Sequence, residues 1–266
     1  MCDDAIAFEW TIRLGAAAVA LVSLERLSLE ATTGGLQSWR VLRLRFIDAP
    51  RILWLADAVL AGRRYSIGLV MGLIAAGVTL VTPVTSGAAI VPLAAIVLSL
   101  LMTVIRSPYG LDGADQMLIV IYVTALLASV AGNSRETRSI ALVFIASQLL
   151  LSYIVAGFAK LRGATWRSGD ALRFILATQT YGSPAARRAL QRVPLLGKVG
   201  SRLIVVAECT VPLLVLAGND AVAISTIVVM LLFHIATAIV MGLNNFVLAF
   251  ASAYPALLYV RCLLRS

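Results

Sequence analysis

The sequence predicts an all-α integral membrane protein, a polytopic helical bundle of about eight spans with in-plane amphipathic helices beside them. The 266 residues are 61% hydrophobic and only 13% charged, whereas soluble domains are nearer half apolar and a quarter charged. Apolar runs of about 16 to 22 residues recur along the chain, which is roughly the helix length that crosses a bilayer core. The basic residues separate these runs instead of forming one solvated patch, so we expect no nucleic-acid partner.

The spans follow one another closely, and turn-forming residues punctuate their connections. The predicted spans are about 7–24, 66–82, 87–105, 114–131, 138–159, 202–218, 221–242 and 245–262. Pro and Gly follow the second, third, fourth and sixth spans, where they favour turns. We therefore expect one membrane domain over 1–266, with no separate soluble domain. The residues before the first span are acidic, unlike a secretory signal, so we expect this span to be retained.

Two long connections, 25–65 and 160–201, mix Arg with Leu, Trp and Phe. This pattern is typical of amphipathic helices that lie in the membrane interface. The first, third, fifth and seventh connections hold 17 of the 22 Lys and Arg residues, which by the positive-inside rule places them in the cytoplasm and both termini outside. The alternative is that these charges bind anionic lipid headgroups and do not determine orientation.

The three cysteines, Cys2, Cys209 and Cys262, are far apart and form no CxxC motif. Their odd number and spacing indicate neither a disulfide framework nor a zinc site. We therefore expect no cysteine redox chemistry.

Ionisable residues inside apolar spans are costly and are the first candidates for chemistry. Glu9 and Arg13 lie one helical turn apart, which favours a structural ion pair. Lys160 ends the fifth span and shares a helical face with Tyr153 and Gly157, where the glycine lets a neighbouring helix or flat ligand approach. Lys160 is either a structural amine that reaches the headgroups or a general base, because apolar surroundings disfavour the ammonium form.

Two further polar residues lie inside the later spans. His234 is the single histidine and lacks partners for a haem pair or a zinc site, so it is either structural or a hydrogen-bond donor to a ligand. If the helix continues unbroken, Asn245 lies on the same helical face as His234. The alternative is that the helix breaks at MGLNN, which would separate Asn245 from His234. Glu208 has no oppositely charged neighbour on its own helix, so it is either protonated or paired with a residue of another helix. We favour the partner on another helix.

Two stretches carry motifs of a known family. The first reads Y-x-x-A-G-x-A-K-L-x4-W-x2-G-x-A-L and runs from Tyr153 through Lys160 and Trp166 to Leu172. The second begins with Phe233-His234 and continues through Gly242 and Phe246 to Tyr254-Pro255. In order and separation they resemble the horizontally transferred transmembrane (HTTM) family, the membrane core of vitamin K-dependent gamma-carboxylases and their short bacterial relatives.

The resemblance implies an enzyme in a bacterial cytoplasmic (inner) membrane. In the carboxylases a lysine deprotonates a reduced naphthoquinone, and molecular oxygen then drives removal of a carbon-bound proton from a glutamate side chain. By resemblance, Lys160 is the base and His234 binds the quinone or an intermediate. The residues implied to bind the reduced quinone are Tyr153, Gly157, Trp166 and Asn245.

Two departures keep a second hypothesis open. The large exoplasmic domain with which the animal carboxylase holds its substrate has no counterpart in this sequence. The carboxylase also works on the exoplasmic side, whereas the charge count places 160–202 in the cytoplasm. The alternative is a non-catalytic membrane subunit that binds a quinone or lipid and anchors or matures a partner peptide. Short relatives also occur beside thiol oxidoreductase-like proteins. The expected partners are thus membrane lipid and either a peptide substrate or a thiol oxidoreductase-like protein. A third hypothesis, a secondary transporter, is the one we favour least, because the sequence shows no inverted repeat.

Overall fold

The computed structural model describes residues 2–32, 39–107 and 112–266, and within these ranges it is helical with no strand. The α-helices are α1 (Asp4–Thr32), α2 (Trp39–Leu42), α3 (Pro50–Leu60), α4 (Arg63–Val81), α5 (Ile90–Arg106), α6 (Gly113–Val130), α7 (Arg135–Arg162), α8 (Ala164–Ser168), α9 (Ala171–Ile175), α10 (Pro184–Arg192), α11 (Pro194–Ala217), α12 (Asp220–Met241) and α13 (Asn244–Leu263). Two 3-10 helices span Arg43–Phe46 and Gly87–Ala89.

Eight helical segments in the described ranges are long and apolar enough to cross a membrane, and they match the predicted spans in number and order. They comprise α1, α4, α5 with the preceding 3-10 turn, α6, α7, α11, α12 and α13. The helices extend past the predicted boundaries, as in α7, because charged residues continue helices beyond their apolar centres. Side chains of Asp112, Ser134 and Asn219 accept backbone N–H groups at the starts of α6, α7 and α12, which fixes those starts.

The centre of the bundle lies where α1, α6, α7 and α13 meet. Phe8, Ile12 and Tyr122 are fully buried there, and the Tyr122 hydroxyl donates to the carbonyl of Ile12 at 2.9 Å. Gly15 leaves space for the Tyr122 ring, since an added Cβ would lie 3.2 Å from it. Close packing of this kind holds membrane helices together, because lipid tails are as apolar as the side chains.

One span stands apart from this centre. Only 11% of the α12 span is buried, against 28% to 50% of the other spans. It packs against α11 on one side and α13 on the other. Most of α12 therefore faces the bilayer or a partner.

The two basic connections are helical only in part. Span α1 occupies the start of 25–65, and α11 already begins at Pro194, so both predicted segments overlap spans. Residues 33–38 of the first connection lie outside the described residues. Helix α3 is amphipathic, with Ile52 and Trp54 exposed, whereas Asp57 accepts hydrogen bonds from the Trp39 indole and from Arg43. This pattern agrees with an interfacial helix.

The expectation that the cysteines form no disulfide is wrong. Cys2 and Cys262 are disulfide-bonded across 260 positions of sequence, and Cys209 is free. An even number of spans returns the chain to the side on which it began, and α1 packs along α13, so the two ends meet. Sequence spacing does not reveal such a contact. Because disulfides persist in oxidising compartments, the bond agrees with the prediction that both termini lie outside.

Candidate functional site

The predicted lysine is half of an ion pair between two spans. Lys160, in the last turn of α7, donates to both carboxylate oxygens of Glu208 on α11, at 2.8 Å and 2.6 Å. The Glu208 side chain is buried and that of Lys160 is 23% exposed. The favoured prediction of an across-helix partner for Glu208 is confirmed. The predicted Glu9–Arg13 pair also forms, at 2.6 Å.

Gly157 brings the backbones of α7 and α11 together beside this pair. A Cβ added at Gly157 would lie 2.7 Å from the Cys209 sulfur, closer than real Cβ contacts come, and 3.0 Å from the Cys209 backbone nitrogen, which is tighter than most. The predicted close approach of a neighbouring helix at this glycine is therefore present. It sets the spacing at which the Lys160 amine reaches Glu208.

Trp166 lies above the amine. Its ring is on the short helix α8, and the Lys160 Nζ is 5.4 Å from the ring centroid, within cation–π range. The region around α8 is held against α11 by Ser201, whose hydroxyl accepts the Leu172 N–H and lies 3.2 Å from the Gly169 carbonyl. Lys160, Glu208 and Trp166 thus form one group.

His234 occupies a separate, aromatic setting. Its Nε2 is 3.1 Å from the Tyr153 hydroxyl, and its ring stacks on Phe250 with centroids 4.4 Å apart. Phe233 and Phe246 complete the surroundings at centroid distances of 5.3 Å and 6.2 Å. His234 is 3% exposed, and its Nδ1 has no hydrogen-bond partner among the residues that the structure describes. A buried polar atom left in this state is costly, so it marks a candidate contact for a ligand.

The two groups lie along one face of α7. Tyr153 and Lys160 are separated by seven positions, or about 10 Å along the helix axis. Tyr153 holds His234, whereas Lys160 holds Glu208. The structure therefore brings the predicted residues into two adjacent layers. One layer holds Tyr153 and His234, and the other holds Lys160 with Glu208 and Trp166. Gly157 lies between them on α7.

An apolar groove runs between α11 and α12 next to these layers. It contains cavities of about 380 Å³ and about 160 Å³, which share Ala207, Val229 and Met230 in their walls. The larger volume lies in the range of small-molecule sites, about 300–1,000 Å³. Glu208 and Phe233 line the smaller cavity, with Lys160 and His234 as their respective neighbours.

Asn245 lies elsewhere. Helix α12 ends at Met241, and Gly242 follows with φ of 73°, a left-handed conformation that suits glycine. The helix therefore does not continue to Asn245, and the break in MGLNN is the correct alternative. The Asn245 amide donates to Asp115 at 3.4 Å.

Several contributing residues were not among the predicted site residues. Phe250 stacks on His234, and the hydroxyl of Tyr254 lies beside that of Tyr153. Both belong to α13, whose apolar sequence gives no sign of which face meets α12. The Tyr254-Pro255 motif was the available signal for Tyr254, but it did not indicate a role.

Comparison with known proteins assigns the chain to a membrane family. Residues 30–260 match the family model described as the lipase maturation factor transmembrane domain. No curated protein and no solved structure matches the chain. The match agrees with the eight apolar spans. The matched family is a membrane family, but it is not the HTTM family that the motifs resemble. This integral membrane protein belongs to the lipase maturation factor transmembrane-domain family.

Proposed function

We propose that the chain is a non-catalytic membrane factor that assists maturation of a lipase, by holding an apolar segment of that partner in the α11–α12 groove. The family match supplies the class of partner. The observation that carries the non-catalytic assignment is the contact of the Lys160 amine with both oxygens of Glu208.

A general base must offer a free lone pair to a proton. An ammonium group held by a carboxylate offers none, and a close ion pair with good geometry keeps both charges in apolar surroundings. In our proposal, Lys160 and Glu208 therefore tie α7 to α11. That tie fixes one wall of the groove, because Glu208 lines the smaller cavity.

The groove has the chemistry expected for an apolar partner segment. Its walls are mostly Ala, Val, Leu and Met, and α12 is the least buried span. An enzyme that acts on lipid carries apolar surface, and such surface is prone to aggregation before folding is complete. A groove at membrane depth shields that surface while the partner matures.

Filling the groove tests this proposal. Ala207 lines both cavities, whereas Val206 is exposed on the outer side of α11. We expect Ala207→Phe to abolish the gain in active exported lipase that the chain gives in co-expressing cells. Val206→Phe adds a phenyl ring one position away and should leave the gain intact. Equal activity of both variants, at equal membrane abundance, would contradict the proposal.

A second candidate is the quinol-dependent enzyme with Lys160 as base, which the sequence motifs favour. The unpartnered Nδ1 of His234, in its aromatic shell, supports it, because a quinone oxygen or hydroxyl there would satisfy that atom. A reduced naphthoquinone would supply the reducing equivalents and molecular oxygen the oxidant. In this candidate, Tyr153 orients His234, while Gly157 and Trp166 line the site. Asn245 contacts Asp115, and its part in binding the quinone stays a prediction.

Oxygen uptake by the purified chain with reduced naphthoquinone distinguishes the two candidates. The enzyme predicts uptake that is lost in Lys160→Met. The maturation factor predicts equal, background uptake by both proteins. We further propose that the chain lies in a bacterial inner membrane and that a thiol oxidoreductase-like partner acts on the Cys2–Cys262 disulfide.

A further inference from the structure

A polar pocket opens at the end of the bundle opposite the Cys2–Cys262 disulfide. It lies between the last part of α1, the start of α6 and the turn from α12 to α13, and its volume is about 230 Å³. These are ends of membrane-spanning helices, where lipid headgroups are expected. The lining residues are Val22, Glu25, Arg26, Leu29, Ser107, Asp112, Asp115, Gly242, Leu243, Asn244, Asn245 and Phe246.

The pocket is acidic on a strongly basic side of the protein. Three carboxylates, Glu25, Asp112 and Asp115, face one cation, Arg26. Asp115 is buried and pairs with the Arg26 guanidinium at 3.6 Å, which is long for an ion pair. The Asn245 amide donates to Asp115 through a long hydrogen bond of 3.4 Å. The described lining therefore carries more carboxylates than cations.

Asn245 gives the independent sign of a ligand. The residue is 8% exposed, its Nδ2 donates to Asp115, and its Oδ1 has no hydrogen-bond partner within the described ranges. A buried carbonyl oxygen without a donor is costly. The Asn245 Oδ1 can only accept hydrogen bonds, so a ligand that satisfies it is a donor, and the excess of carboxylates in the lining favours a positively charged one.

We propose that this pocket binds the primary ammonium group of an aminophospholipid headgroup. The ammonium donates to the Asp115 carboxylate and to the Asn245 Oδ1, and Arg26 faces the phosphate of the same headgroup. The apolar side chains of Val22 and Leu243 border the acyl chains. A zwitterionic headgroup matches a pocket that offers carboxylates and one guanidinium together.

Other occupants fit less well. A choline headgroup has no N–H to give to Asn245, and an anionic headgroup would meet the carboxylates. In the part of the chain that the structure describes, no three His, Cys, Asp or Glu side chains are arranged to hold a metal ion. The geometry therefore selects an amine with several N–H donors.

The test measures thermal unfolding of the full purified chain in mixed micelles that contain either phosphatidylethanolamine or phosphatidylcholine with the same acyl chains. Phosphatidylethanolamine should raise the Tm by about 2–4 °C over phosphatidylcholine. Asp115→Asn and Asn245→Leu should lose this difference. Asp48→Asn, which makes the same change at an exposed carboxylate, should keep it.

Three results would overturn the proposal: equal Tm values in the two lipids, a difference that survives in Asp115→Asn and Asn245→Leu, or the same gain from MgCl₂ or soluble ethanolamine without the lipid. If the variants fail to fold, native mass spectrometry of the unmodified chain replaces them. Retention of phosphatidylethanolamine from an equimolar mixture supports the site, and equal retention of both lipids refutes it.

Discussion

At the scale of single residues, the Lys160–Glu208 pair decides between a structural and a catalytic interpretation. Its partners lie 48 positions apart and on different spans, at 2.6 Å and 2.8 Å. Removal of one partner of a buried pair leaves an uncompensated charge, whereas removal of both leaves an apolar contact. The two kinds of variant therefore separate the cost of an unpaired charge from the value of the pair.

We predict that Glu208→Gln lowers the free energy of unfolding in detergent by an amount near the lower end of about 3–5 kcal/mol, because Lys160 keeps some exposure. The double variant Lys160→Met/Glu208→Leu should recover most of this loss. Chemical denaturation monitored by circular dichroism provides the measurement. A double variant as unstable as Glu208→Gln would show that the pair does more than neutralise charge.

The Tyr153–His234 contact should contribute less. Tyr153→Phe removes the hydroxyl that lies 3.1 Å from the His234 Nε2, and we expect a loss of about 1–2 kcal/mol, because both groups are buried. Tyr181→Phe, at an exposed tyrosine, is the matched control and should be neutral. The same denaturation experiment reports both variants. A neutral Tyr153→Phe would mean that the hydroxyl has no role in positioning His234.

Helical spacing alone placed Tyr153, Gly157 and Lys160 on one face of a span, and the structure agrees. The sequence could not name Glu208 as the partner of Lys160, because that contact depends on how α7 and α11 are positioned. It also left the environment of His234 open. Phe250 reaches His234 through the α12–α13 contact, which no periodicity in either helix specifies.

At the scale of elements, Gly157 sets the distance between α7 and α11. We predict that Gly157→Ala destabilises the protein, because the added methyl group would lie 2.7 Å from the Cys209 sulfur and 3.0 Å from a backbone nitrogen. Gly77→Ala is the matched control within α4, where nothing lies within 4 Å, and alanine should be neutral or stabilising by up to about 1 kcal/mol. Equal thermal stability of the two variants would contradict the close helix contact.

The break between α12 and α13 shows where sequence reasoning reaches its limit. Gly242 predicts a helix end, but a glycine inside an apolar span is also tolerated within a helix. Its φ of 73° resolves the question and turns Asn245 towards Asp115. The predicted spans were otherwise found in order, because composition and length determine them without reference to neighbours.

At the scale of the whole molecule, the disulfide and the distribution of charge agree on orientation. Cys2 and Cys262 meet on one side of the bundle, and the Arg-rich connections lie on the other. An oxidising compartment on the first side and the positive-inside rule on the second give the same arrangement. The two arguments rest on different residues, so their agreement strengthens the assignment.

Labelling in intact cells tests this orientation. In a Cys209→Ser background, we predict that an impermeant maleimide labels Glu136→Cys, on the side of the termini. Thr165→Cys and Ala185→Cys lie on the opposite side and should react only after the membrane is opened. All three positions are exposed, so differences in reactivity report sidedness. Labelling of Thr165→Cys and Ala185→Cys in intact cells would contradict the predicted orientation.

The claim on which the account depends is that Lys160 acts as an ion-paired tie and not as a base. The most direct measurement is the yield of active exported lipase in cells that express Lys160→Arg. Arginine can pair with Glu208 but cannot give up its proton, so the account predicts a yield close to that of the unmodified chain. Loss of the yield to the level without the chain, with normal membrane insertion and thermal stability, would contradict it.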